Sequence, residues 1–179
     1  MSATVRSVGL GLLAIALLLV NAPGMAGPRE DTVDAERAYA RDDVVTAMAL
    51  LRRAADAGYA PAQARLGDIY DAAEENAQAV ELYRKAASQN FAAGEYGLGR
   101  MYDKGEGVAK DPVEALKWYM RAAEKDYVLA VQIIAHAYLL GALGLPASKE
   151  DAEAWGKRAA RLGGSLPALP KQAEMGTKK

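Results

Sequence analysis

The chain has 179 residues, with 22 Lys and Arg against 23 Asp and Glu, one His, one Phe and no Cys. That length makes one domain. A formal charge of −1 leaves no basic footprint for nucleic acid, and without Cys there is no disulfide, thiolate metal site or thiol nucleophile. Ala accounts for 39 residues; it is the best helix former, and β-branched residues are sparse, so the expected class is all-α.

Residues 1–26 have the three parts of a secretory signal peptide. Arg6 is the single early cation, 8–20 is an uncharged apolar run, and 21–26 is a stretch of mostly small residues. Gly24 and Ala26 stand before an expected cut ahead of Gly27. A membrane anchor needs about 20 apolar residues, so no stable anchor is expected after cleavage. With no Cys after the run there is no lipid attachment, and one Arg gives no twin-Arg signal. The expected location is periplasmic or secreted.

From there the chain repeats. Alanine pairs recur at Ala54-Ala55, Ala86-Ala87, Ala122-Ala123 and Ala159-Ala160, and tyrosines at Tyr39, Tyr70, Tyr102 and Tyr138. A third marker runs Gly58-Tyr59, Asn90-Phe91, Asp126-Tyr127. Markers sharing one period of 31–37 residues indicate stacked supersecondary units. Each unit reads as two helices. The first (A) helices fall near 32–41, 61–72, 93–104 and 129–141, the second (B) helices near 43–57, 76–89, 112–125 and 149–162. Pro61, Asp111-Pro112 and Ser148 supply start signals. Gly58, Asn90 and Gly163 supply left-handed stops, with Asp126 a poorer one.

Gly67 and Gly99 sit inside A helices three residues before a repeat Tyr. Each costs about 1 kcal/mol against Ala, which close helix approach would explain. Glu36 holds that place in the first unit, which therefore reads as a degenerate cap. The domain is expected over 27–164, with repeats near 32–58, 61–90, 93–126 and 129–163 and a flexible tail over 165–179.

The third unit carries Gly99, Tyr102, Gly105-Glu106-Gly107-Val108, Asp111, Ala115, Trp118-Tyr119 and Arg121-Ala122-Ala123. In these residues it is similar to the Sel-one-like repeat (SLR) family, relatives of the tetratricopeptide repeats. The second unit lacks the Gly-x-Gly-Val loop, and the fourth has Gly156 where Tyr would stand. The resemblance implies a right-handed α/α solenoid of about four helix pairs, acting as a binding scaffold with no enzymatic role and no cofactor.

The residues themselves offer no chemistry. Gly105-Glu106-Gly107 follows a helix and lacks phosphate-loop spacing. Asp103, Glu106 and Asp111 lack a calcium-loop pattern, and His136 is the only imidazole, so no metal site is expected. No Ser has a Lys three residues on. No catalytic residue is assigned.

What remains is the A-helix face turned away from the packing stripe. It carries Arg37, Asp68, Asp71, Tyr96, Arg100, Asp103, Gln132 and His136, which in tetratricopeptide-like repeats would line the concave side. Arg37, Asp68, Arg100 and His136 form a row of mixed charge, with Tyr96, off the repeat register, as an aromatic anchor. The alternative is an ordinary solvated face. A protein or peptide partner in the envelope is expected, with the chain a scaffold or adaptor. An immunity protein neutralising a secreted toxin is the runner-up. A β-lactam-binding or hydrolytic enzyme is a more distant third.

Overall fold

The computed structural model describes residues 26–165. Apart from Ala26 and Ser165, the expected signal peptide and tail lie outside these residues. The described chain folds into eight α-helices, α1 (Pro28–Ala40), α2 (Val44–Asp56), α3 (Ala60–Ala72), α4 (Asn76–Ser88), α5 (Ala92–Lys104), α6 (Pro112–Glu124), α7 (Val128–Leu140) and α8 (Lys149–Arg161). Each odd helix packs on the next even one, and each even helix packs on the odd helix that follows. In addition α1 packs on α3 and α3 on α5, which brings A helices side by side. This is an α/α solenoid.

The caps are those that the side chains dictate. Asp111 accepts from the backbone N–H groups of Val113 and Glu114 at 3.0 and 2.9 Å. Ser148 accepts from Asp151 and Asp43 from Thr46. Between units, Gly58, Asn90, Asp126 and Gly163 all take positive φ, from 56° to 85°. The first helix begins at Pro28, earlier than residue 32, because Pro stands at its first turn with Glu30 and Asp31 after it.

The alanine pairs are buried in the first three units, where they let helices meet closely; in the fourth Ala159 is buried and Ala160 exposed. The glycines have a specific partner. A Cβ on Gly67 would stand 2.8 Å from the Tyr83 ring, and one on Gly97 would meet the same ring from α5. A Cβ on Gly99 would stand 2.8 Å from the Tyr119 ring. Two fully buried tyrosines of the B helices therefore fill slots that Gly leaves open in the A helices.

Tyr83 and Tyr119, not the tryptophans, are the buried B-helix anchors. Trp118 and Trp155 are only half-buried and flank core clusters of neighbouring residues. Arg121 and Arg158 cover their rings at 4.8 and 5.3 Å.

The first unit keeps the helix order of the others but not the tyrosine register. Position eight of the A helix is Ala35, Gly67, Gly99 and Ala135, and position eleven is Ala38, Tyr70, Tyr102 and Tyr138. Tyr39 thus lies one residue past the repeat tyrosine, 43% exposed. The buried Ala35, and not Glu36, stands where glycine stands in the next two units. One residue is about 100° of helix rotation, so counting from Tyr39 turns every α1 face by that amount.

Candidate functional site

The A helices leave an open groove of about 540 Å³ between α3, α5 and the start of α7. Asp68 and Asp71 come from α3, Tyr96, Arg100 and Lys104 from α5, and Tyr127 and Leu129 from the entry to α7. Arg65 closes one side. Tyr127 is the residue that caps α7, so the repeat's own turn delivers it to the rim.

The aromatic centre is a tilted trio. Tyr96 lies 5.8 Å from Tyr119 and 5.1 Å from Tyr127 between ring centroids, within the range of favourable edge-and-face packing. Below it Tyr119 is core; above it Tyr127 is half-buried. Burial pushes the phenols of Tyr96 and Tyr127 upward in pKa, and the charge of Asp68 adds to both. Asp68 lines the same groove as the two rings.

The charges are paired in a definite order. Arg100 bonds to Asp71 across helices and lies over the Tyr96 ring at 5.9 Å. Arg65 reaches Glu36 at 2.8 Å and covers the Tyr39 ring at 5.6 Å. Lys104 holds Glu106 at 3.0 Å. Asp68 has no cation of its own among the described residues; its Oδ1 accepts from the Tyr83 phenol at 2.8 Å.

Four of the residues expected on this face, Asp68, Asp71, Tyr96 and Arg100, come together in the groove. Asp103 is half-buried beside the groove on α5, and His136 is exposed on α7. Gln132 lies in the same register as Tyr96, but its amide donates to the Ser165 carbonyl at 2.9 Å. It ties down the chain after α8. Arg37 is a correction. The register slip in α1 puts Glu36 in the row with Asp68, Arg100 and His136, while Arg37 turns away, paired with Asp34 in its own helix at 2.8 Å.

Sequence reasoning missed Arg65, Lys104, Tyr127 and Leu129 in the groove, and a buried polar series behind it. Asp31, Gln63 and Glu95 occupy position four of successive A helices and are all buried. Arg53 clasps Asp31. Gln63 donates to the Ala55 carbonyl and accepts from Gln89. Glu95 takes Arg121 at 3.0 Å and Lys125 at 2.8 Å. The spacing of 32 residues between the three was a readable signal. Lys125, the residue that ends α6, is thus a partner of a fully buried carboxylate.

Among the described residues no His, Cys, Asp or Glu cluster suits a metal ion, and no helix is long and apolar enough to cross a membrane.

A repeated helix pair with a Gly-for-Tyr slot is specific enough to compare with known families. The family model for the Sel1 repeat matches four times, over residues 34–59, 60–91, 92–127 and 129–164. The chain belongs to the Sel1 repeat family. Sel1 repeat proteins generally mediate protein–protein interaction, and the scaffold is typically non-catalytic. Among solved structures, one similar protein is a protective antigen present in uropathogenic Escherichia coli strains that displays an SLR fold. It has 33% identity and a TM-score of 0.68 over 76% of this chain and 31% of that one. Another is a Sel1 repeat protein from Oxalobacter formigenes, with 32% identity and a TM-score of 0.66 over 74% of this chain and 56% of that one. The chain thus spans about a third of the first protein and just over half of the second. No match is found among curated proteins.

Proposed function

We propose that this Sel1 repeat protein is exported and acts as an adaptor in the cell envelope, holding a protein or peptide along the A-helix groove. One observation carries the reading. Tyr96, an aromatic that the repeat does not call for, sits at the centre of the groove with Tyr127 and the exposed Leu129 beside it. Apolar and aromatic surface framed by paired charges is the composition of an interaction hot spot. Export is supported by the pattern of residues 1–26, and the description of one structural relative as a protective antigen fits an exposed location.

The test is affinity purification of the full chain from fractionated cells, with the intact mass of the captured bait read alongside. The expected outcome is a bait beginning at Gly27 in the periplasmic fraction, with a co-purifying protein that is lost with Tyr96→Ala. A bait that keeps Met1 in the cytoplasm contradicts export. A partner retained by Tyr96→Ala contradicts the groove.

A further inference from the structure

We infer that the groove receives a cationic side chain, Lys or Arg, of a peptide segment, placed between Asp68 and the rings of Tyr96 and Tyr127 with an apolar neighbour against Leu129. This rests on the groove being the partner site.

The charge pattern selects the sign. Each cation lining the groove has a carboxylate of its own: Arg65 has Glu36, Arg100 has Asp71 and Lys104 has Glu106. An incoming anion would have to separate one of these pairs. Separating Arg100 from Asp71 is the most costly, because the Asp71 side chain is only 9% exposed and would be left buried without its partner. Asp68 is the carboxylate left over. It is exposed, and its fixed contact is the neutral phenol of Tyr83, which leaves lone pairs for a charged donor.

The aromatic pair selects the kind of cation. A Lys or Arg head within about 6 Å of a tyrosine face gains cation–π attraction. Arg100 already covers Tyr96, whereas no cation stands over Tyr127 among the described residues. Asp71 neutralises Arg100, so the newcomer is not repelled by an unscreened charge. Leu129, 47% exposed at the same rim, gives the adjoining residue an apolar seat. A free metal ion or a lone ammonium would use Asp68 and leave the rings and Leu129 idle; a peptide side chain with a carbon stem uses all of them.

The probe is a random-sequence peptide library displayed on phage and panned on the full chain, with enriched peptides then titrated by calorimetry. The expected result is a shared Lys or Arg beside an apolar residue. Its affinity should fall about tenfold or more with Asp68→Asn and decline with added salt. Asn keeps an oxygen to accept from Tyr83, so the fold is retained. Replacing the peptide's Arg by citrulline, or its Lys by norleucine, gives the same loss without touching the protein. Peptides that need Tyr96 but share no cation, or that bind Asp68→Asn like the parent chain, overturn this inference and leave the groove reading standing. If enriched peptides bind Tyr96→Ala and Asp68→Asn unchanged, or panning enriches none, both fall.

Discussion

The phenol of Tyr83, fully buried between α3 and α5, donates a 2.8 Å hydrogen bond to Asp68 on the groove face. One contact therefore joins the packing of two repeats to the position of the carboxylate that a partner would meet. Core glycines and groove charge are parts of the same arrangement: Gly67 and Gly97 admit the ring, and the ring holds the carboxylate.

Gly97→Ala tests the slot. In an open helix the change would gain about 1 kcal/mol. Here the added Cβ meets a ring with no exposed side, and over-packing costs about 1–3 kcal/mol, so a net loss of stability is expected by urea denaturation. In a Tyr83→Leu background the same change should become neutral or favourable, a coupling that a double-mutant cycle measures.

Alkaline pH should unfold the protein earlier than its charge suggests. Burial pushes the phenols of Tyr83 and Tyr119 well above their ordinary value of 10, with Asp68 adding to Tyr83 and Asp103 to Tyr119. Below pH 10 the stability from burying neutral phenols is fully present. Above it the unfolded chain ionises while the folded chain does not, and stability is lost as pH rises. The melting temperature should hold to about pH 9.5 and then fall steeply. Tyr119→Phe should make that fall shallower. Tyr83→Phe should do the same, with about 1 kcal/mol lost at neutral pH for the missing hydrogen bond.

Lys125→Glu should be among the most damaging surface changes. It replaces one of two cations on the buried Glu95 with a second carboxylate, at about 3–5 kcal/mol. Lys125→Met should cost less, because Arg121 remains 3.0 Å from the same carboxylate. Chemical denaturation of both variants separates the two cases.

Arg100→Glu is expected to damage the fold as well as the groove. Its removal strands Asp71, nearly buried, without a partner, a loss of about 3–5 kcal/mol. An exposed groove charge would instead lose under about 1 kcal/mol. A thermal melt of Arg100→Glu beside the milder Arg65→Gln, whose pair is exposed on both sides, checks the ranking.

The solenoid was legible because the Ala pairs and the turn residues Gly58, Asn90, Asp126 and Gly163 keep one register through every unit. Packing and backbone sign both depend on them. The groove was half legible. Asp68, Asp71, Tyr96 and Arg100 follow from helix angles alone, whereas Tyr127 belongs to a turn and projects into the groove only once the units stack. Tyr39 misled, since an aromatic one residue out of step looks like a repeat marker and carried the row to Arg37 instead of Glu36. Asp31, Gln63 and Glu95 were hidden for another reason. A charged or amide residue near a helix start reads as solvated, and only partners from the neighbouring B helices offset the cost of its burial.

The most direct test of the account is photo-crosslinking in cells from two exposed apolar positions of the full chain. Benzoyl-phenylalanine would replace Leu129 at the groove rim in one and Val45 on the B helix α2, 83% exposed, in the other. The account predicts a discrete protein adduct from position 129, abolished by Tyr96→Ala, and none from position 45. An adduct from position 45 alone would place the partner on the opposite side of the solenoid and contradict it.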